Sequence, residues 1–483
     1  MDDYFEGMNV IRFQVDRVQH PIGQGGFHSV ALHSSHWHGF SMVVDCGGSN
    51  LAHRETLAKA FAEGRREHDF LAISHLDDDH INGLEDLRKA GIVFRTVFLP
   101  HVDLSRYLKW MTLRICANST CENDLSAEDQ AAETISSFSH SSAGLYSGRY
   151  GEVVRVTPPN RDGSDRDPSG RDADRDVDLD RHRGPLTKQS HHAISKGAQS
   201  GGSLSSSTSL TFELDWLIRF YSREWSCPKE VSAIWKIPAL QGLRRVIDSI
   251  NSDFGRAEWA AFSSSLRDEL KKKVDNALWK STTSPVGKAS DLAKLSTEIS
   301  NGEVSCKELL SRLYKLSGSL QDYNDASMCV YSGPADRGVA APRKHFIRLQ
   351  DVPTLKALPR HDNPNRRVGW MHTGDAAFKT KAKLEAFVQH YFGELPLTSV
   401  MVLPHHGSRM SFDAKMNYLH QLSACLARPT VFIAPANPGG PYHHPHPEVE
   451  NVCKLLGELL IVDDRAASQY SDTAITPTPW CTL

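Results

Sequence analysis

The sequence predicts an α/β fold, because segments typical of buried strands alternate with helical segments near both ends of the chain. In the first hundred residues, apolar Leu57, Ala60 and Phe61 recur at helical spacing between two such strands. The predicted strands there are 10–15, 29–32, 42–45, 69–74 and 93–99, and the predicted helices are 57–65 and 84–89. The strand pattern returns at 210–214, 326–331, 368–371, 399–403 and 431–434.

The composition is that of a chain that buries a core. Of 483 residues, 40% are hydrophobic and 23% are charged, which excludes a wholly disordered, collagenous or membrane-spanning protein. The net charge of −3 provides no overall basic field for nucleic acid. The nine scattered cysteines and the lack of an apolar leader predict a cytoplasmic protein with no membrane partner.

Changes in composition divide the chain into four parts. Residues 161–183 contain eight Asp and six Arg with almost no apolar side chains, so this tract cannot bury enough area to order itself. A long helical pattern follows at 229–317. The predicted parts are the first half of an α/β domain (1–159), a disordered linker (160–208), a mainly helical insertion (209–320) and the second half of the domain (321–483).

Four potential metal ligands lie in the short loop after the predicted strand 69–74. They are His75, Asp77, Asp79 and His80. Alternate side chains of such a loop can point into one cavity, and imidazole nitrogen with carboxylate oxygen suits zinc, manganese or iron. The structural alternative is a polar turn in which Asp79 caps the next helix.

Three further strand ends carry the same chemistry. The segments are 371–375 (MHTGD), 403–408 (LPHHGS) and 441–448 (PYHHPHPE). Each segment also has an interpretation without metal binding, such as a turn residue, a histidine packed in the core, or a run of surface residues. Four coincidences at strand ends nevertheless favour one shared site.

In this order, the motifs GQGG, DCGG, SHLDDDHINGL, HTGDA, LPHHGS and HPHPEV resemble those of the metallo-β-lactamase superfamily. The pair HHGS and HPHPE is similar to the branch that contains the nuclease domain of the bacterial competence DNA-uptake channel. The resemblance covers about residues 8–100 and 325–460. It implies an αββα four-layer sandwich, interrupted by the linker and the insertion, with two divalent metal ions bound at one edge.

The resemblance implies a ligand set in which one carboxylate bridges the two ions. The set is His75 and Asp77 for the first ion, Asp79, His80 and His405 for the second, and Asp375 for both. Other members usually have His where this chain has Asp77, and a carboxylate favours manganese over zinc. The superfamily usually supplies a further His where this chain reads Asn324 to Ser327.

The resemblance also implies catalytic and substrate-binding roles. Asp79 would orient the attacking water, and His444 would donate a proton or assist the second ion. Substrate-binding residues would be His406, Ser408 and Arg409. The expected function is a metal-dependent phosphodiesterase, a nuclease that cleaves DNA or RNA.

Two other classes of function stay open at this point. The same metals could serve a small-molecule hydrolase acting on a cyclic nucleotide, lactone or thioester, which would have a closed apolar pocket instead of a basic groove. A scaffold with a vestigial site is the third possibility. The acidic and arginine-rich tract further raises the hypothesis that a partner protease activates the enzyme by cutting between about 161 and 209.

Overall fold

The computed structural model describes most of one compact unit, which is assembled from residues 1–101, 148–223 and 324–483. The described residues are 11–34, 37–75, 77–100, 152–158, 186–187, 189–190, 193–194, 203–212, 216–223, 327–334, 346–349 and 368–478. The predicted helical pattern at 229–317 lies outside the described residues, as does most of the predicted linker.

Nine strands form the first sheet. They are β1 (Ile11–Gln19), β2 (His28–Ser34), β3 (Trp37–Val44), β4 (Glu67–Ala72), β5 (Val93–Pro100), β6 (Glu152–Thr157), β7 (Ser203–Ser205), β11 (Phe346–Leu349) and β16 (Tyr470–Thr478). Their order across the sheet is β11-β16-β1-β2-β3-β4-β5-β6-β7. Pairing is antiparallel as far as β3 and parallel from β3 to β7.

Seven strands form the second sheet. They are β8 (Ser209–Thr211), β9 (Trp216–Tyr221), β10 (Cys329–Pro334), β12 (Gly369–His372), β13 (Thr398–Val402), β14 (Thr430–Pro435) and β15 (Gly457–Val462). Their order is β15-β14-β13-β12-β10-β9-β8, and the strands from β12 to β15 are parallel. Every residue of β13 and β14 is buried, as expected for inner strands of a parallel sheet covered on both faces.

Six α-helices have described bounds. They are α1 (Leu51–Gly64), α2 (Asp78–Ile81), α3 (Leu84–Lys89), α4 (Lys381–His390), α5 (Asn417–Ala424) and α6 (Pro447–Leu456). Asn50 caps α1 and Thr380 caps α4 through their side-chain oxygens. Pro447 begins α6, followed by Glu448 and Glu450 in its first turn, where acidic side chains interact favourably with the helix dipole.

Buried side chains connect the two sheets. Phe98 of β5 and Phe220 of β9 lie with ring centres 4.7 Å apart, and both belong to one core cluster with residues of both sheets. A second cluster joins the second sheet to α4, α5 and α6. The prediction of a mixed α/β fold is therefore confirmed.

The boundaries of the predicted linker and insertion differ from the observed elements. Leu186, Ile194 and Leu204 are buried in the core between the sheets, and β7 adds a strand to the first sheet. These few aliphatic side chains supply the apolar burial that the tract before them lacks. The assigned insertion (209–320), for which the sequence predicts a strand at 210–214 and helix from 229, begins with β8 and β9 of the second sheet, because Trp216, Ile218 and Phe220 pack into the same core.

The architecture brings the carboxyl ends of five strands to the predicted site. β3 and β4 of the first sheet lead into Asp45 and the 74–80 loop, while β12, β13 and β14 of the second lead into the other motifs. Loops at the carboxyl ends of parallel strands are the usual position for ligand sites in open α/β sheets. Among the described residues, no helix combines the length and apolar character needed to cross a membrane.

Candidate metal centre

Asp45, directly after β3, organises the first-sheet side of the site. Its backbone has a φ of 56°, and its side chain is fully buried. Its Oδ1 accepts a hydrogen bond from the Ser74 backbone N–H at 2.6 Å, and its Oδ2 accepts one from the Ser74 hydroxyl at 2.6 Å. The same Oδ2 accepts a third bond from His80 Nδ1 at 2.9 Å.

These bonds determine which nitrogen of each histidine is available. Because His80 Nδ1 donates to a carboxylate, Nε2 of the neutral ring carries the lone pair. The Ser74 hydroxyl proton is directed to Asp45, so its oxygen accepts from His75 Nδ1 at 3.0 Å. Both rings therefore present a basic Nε2, the arrangement found in metal-binding histidines.

Asp375 enters from the second sheet. Gly374, with a φ of 51°, passes so close to Ser327 that a Cβ there would lie 2.3 Å from its Oγ, so only glycine fits. The Ser327 hydroxyl oxygen accepts the Asp375 N–H at 2.9 Å. The carboxylate oxygens then lie 3.2 Å from His80 Nε2 and 3.5 Å from His75 Nε2.

The loop after β13 turns His406 into the site. His405 and His406 both adopt a positive φ, of 49° and 57°. The His406 ring is buried and donates Nδ1–H to the Pro435 carbonyl oxygen at 2.9 Å. Its Nε2 lies 3.1 Å from Asp79 Oδ2 and 3.9 Å from Asp375 Oδ1. The residue assigned to substrate binding from the sequence thus lies inside the His/Asp cluster.

The buried carboxylates of the cluster create a demand for positive charge close to them. Burial raises the pKa of the Asp375 carboxyl, but His405, His75 and His80 outweigh it and hold that pKa well below its usual value. Burial lowers the pKa of His80, while Asp375 and Asp45 raise it well above its usual value. Protons on the rings or a bound cation would meet this demand.

The donor set fits a divalent metal ion. His75, His80 and Asp375 form one group of possible ligands, and Asp79, His80 and His406 form another; within each group the ligand atoms lie within 4.8 Å of one another. His75 Nε2, His80 Nε2 and Asp375 Oδ1 are buried and have no hydrogen-bond partner among the described residues. Buried polar atoms normally have partners, so these side chains could hold a metal ion.

The two other predicted ligands lie at the edge of this cluster. Asp77 Oδ2 is 3.8 Å from His75 Nε2, and His405 Nε2 is 3.7 Å from Asp375 Oδ2. Both side chains are partly exposed. They are near enough to the cluster to contact a ligand that enters from solvent.

Ser408 and Arg409 are engaged with protein groups. Ser408 is buried, and its hydroxyl oxygen accepts the backbone N–H of Met410. The exposed Arg409 forms an ion pair with Glu448 at 3.0 Å. The structure therefore shows a local structural contact for each of them.

His444 lies beside the cluster with a defined tautomer. Its ring centre is 5.5 Å from that of His405 and 6.2 Å from that of His406. Burial and then His406 lower the pKa of His444 to about 3, so the ring is neutral. Gln24 Nε2 donates to His444 Nδ1 at 3.3 Å, which leaves the proton on Nε2.

Sequence reasoning missed Asp45, Ser74 and Gln24 as supporting residues. Asp45 and Gln24 lie in the DCGG and GQGG motifs, which contribute to the family resemblance but gave no role to either side chain. Asp45 could have been identified from its position, because it is a carboxylate directly after a buried strand and lies within the same series of motifs.

The sequence matches no family model and no curated protein in the comparisons made. The structure by itself defines the class: a mixed α/β protein in which a buried His/Asp cluster, able to hold a metal ion, lies at the carboxyl ends of parallel strands.

Proposed function

We propose that this chain is a metal-dependent phosphodiesterase, a nuclease that cleaves DNA or RNA, built as an αββα metallo-β-lactamase sandwich. The observation that carries the proposal is the convergence of His75, His80 and Asp375, with buried atoms that lack hydrogen-bond partners. The order of motifs in the sequence resembles that of the branch that contains the competence nuclease domain. This resemblance supports nucleic acid as the substrate class.

In this proposal the site holds two divalent ions, manganese or zinc. His80 Nε2 belongs to both groups of possible ligands but can bind only one ion: His75 and Asp375 would hold the first ion, and Asp79, His80 and His406 would hold the second, with Asp77 and His405 at the edge. When bound, such ions polarise a phosphodiester and lower the pKa of a water molecule. The carboxylate oxygens among the donors favour manganese.

The side chains supply orientation and hydrogen bonds. Asp79 is partly exposed, and its Oδ2 lies 3.1 Å from His406 Nε2; it accepts a hydrogen bond from the attacking water and orients it. His444 donates its Nε2–H to an oxygen of the phosphodiester as negative charge grows there, because Gln24 occupies Nδ1. This tautomer favours the donor role of His444 over that of a metal ligand.

The test combines metal analysis with turnover. Purified full-length protein should contain up to two manganese or zinc ions and should cleave an oligonucleotide in a metal-dependent manner. Asp375→Ala should lose bound metal and measurable turnover, whereas Glu385→Ala, at an exposed carboxylate on α4, should match the unmodified chain. Metal-free protein with no nuclease activity would refute the proposal, and turnover of cyclic nucleotides or lactones alone would favour the small-molecule hydrolase.

Activation by a partner protease stays a separate prediction. Its site, between about 161 and 209, includes residues 161–185, which lie outside the described residues. Intact and nicked protein should differ in metal-dependent nuclease activity if the hypothesis holds. Equal activity before and after nicking would make the tract an inert spacer.

A further inference from the structure

Three aromatic rings lead from solvent into the His/Asp cluster. Tyr442 is 63% exposed, and its ring lies at 24° to that of His444 with 6.0 Å between ring centres. The His444 ring in turn lies at 24° to that of His406, 6.2 Å away. His406 contacts Asp79 and Asp375. Tyr442 is thus the exposed end of a near-parallel series that ends at the cluster.

The loop that carries Tyr442 is anchored on both sides. On one side, Gly23 passes so close that a Cβ there would lie 2.7 Å from Asn437 Nδ2, and Gly440 N–H donates to the Asn437 carbonyl oxygen at 2.8 Å. On the other side, His446 N–H donates to the Gly407 carbonyl oxygen at 3.1 Å. An exposed aromatic ring on an anchored backbone is preorganised for contact with a flat partner.

We propose that Tyr442 is a stacking platform for an unpaired nucleobase next to the phosphate that lies at the cluster. This inference rests on the proposed function and adds a substrate class to it: single-stranded nucleic acid. Aromatic side chains bind single strands in this way because every base has a stacking face. Tyr442 is exposed, and its ring centre lies 6.0 Å from that of His444, which lies beside the cluster.

A stacking role for Tyr442 predicts that duplex nucleic acid is a poorer substrate than a single strand. A base inside a duplex is already stacked on its neighbours and must be unpaired before it can lie on Tyr442.

The experiment measures KM and kcat with the manganese-loaded full chain. The substrates are a short single-stranded oligonucleotide, its duplex, and an abasic oligomer of equal length. Tyr442→Ala should raise KM for the single strand about 5- to 150-fold, with a much smaller effect on kcat. Tyr442→Phe, which keeps the ring, should recover most of the affinity. Phe392→Ala, at an aromatic side chain that is 74% exposed after α4, is the matched control and should change nothing.

A second measurement does not need turnover. A single strand with one 2-aminopurine should lose fluorescence on binding to the metal-free chain, and Tyr442→Ala should abolish that loss. An unchanged KM in Tyr442→Ala, or an equal rise in KM on the abasic oligomer, would overturn the inference while the nuclease proposal stands. A chain that neither cleaves nor binds any oligonucleotide would overturn both.

Discussion

Arg17 of β1 and Asp472 of β16 form a two-point ion pair in which both side chains are fully buried. Arg17 Nε and Nη2 donate to the two carboxylate oxygens at 2.7 Å and 2.8 Å. Arg17 Nη1 donates to the carbonyl oxygen of Val368, and its guanidinium lies 5.3 Å from the centre of the Trp370 ring. Because Trp370 belongs to β12, one charged side chain joins the two sheets.

Asp472→Asn should lower the free energy of unfolding by about 3–5 kcal/mol, because it leaves a buried guanidinium without its counter-charge. Urea denaturation measures the change. Glu385→Ala, at the exposed pair with Lys381, is the control and should cost less than about 1 kcal/mol. The double variant Arg17→Met with Asp472→Leu should be less destabilised than Asp472→Asn, and a loss below about 1 kcal/mol in Asp472→Asn would contradict the prediction.

Asp45→Asn should weaken metal binding about 10- to 100-fold, the usual effect of removing a carboxylate that orients a ligating histidine. The amide can still accept from Ser74 but no longer holds the His80 Nδ1–H with a full charge. Asn tolerates the positive φ at this position, so the change tests charge and not backbone strain.

Competition with a chromogenic chelator measures the affinity, and circular dichroism checks the fold. Asp463→Asn changes a buried carboxylate that contacts Arg465 and belongs to neither group of possible ligands, and should leave metal affinity unchanged. Equal metal affinity in Asp45→Asn and the unmodified chain would show that Asp45 acts on the fold alone.

The sequence predicted much of the fold and of the site's composition, and physical reasons limit the rest. The strands at 42–45, 69–74, 399–403 and 431–434 were predictable because their apolar runs are continuous. β9 has an equally apolar sequence, but a six-residue run beside a long helical pattern is ambiguous. The sequence motifs predicted that His75, His80 and Asp375 lie close together, because the strands that precede them end at the same edge of the sheets.

Which of the two rings, His405 or His406, points into the site could not be predicted from the sequence. Adjacent side chains normally point in opposite directions, but two successive positive φ values and Gly407, with a φ of 82°, reverse the local chain. The closure is tight: a Cβ at Gly407 would lie 2.6 Å from Pro445 Cβ. Backbone of this kind follows from tertiary packing, which a single sequence does not reveal.

His406→Ala should therefore reduce metal content more than His405→Ala. The buried His406 ring groups with Asp79 and His80, whereas His405 is partly exposed at the edge. We expect loss of about one ion per chain in His406→Ala and at least tenfold weaker binding, as for the loss of a ligand. Elemental analysis after dialysis gives the ratio, and the reverse order of the two variants would restore the ligand set expected from the sequence.

The last prediction concerns the proton on His444. His444→Ala should lower kcat at least ~100-fold, because it removes a hydrogen-bond donor to developing charge. Gln24→Glu should also lower kcat, since a carboxylate accepts from Nδ1–H and thereby removes the proton from Nε2 of the neutral ring. Gln24→Met keeps the size of the side chain without its donor and should have an intermediate effect.

Nitrogen NMR of histidine-labelled, metal-free protein reads the tautomer directly, with His444→Asn to assign the resonance. The Nε2–H form is expected in the unmodified chain and the Nδ1–H form in Gln24→Glu, a change that a merely structural role for Gln24 would not produce. If the unmodified chain carries the proton on Nδ1, Nε2 is free to bind metal, and His444 returns to the alternative role of a ligand.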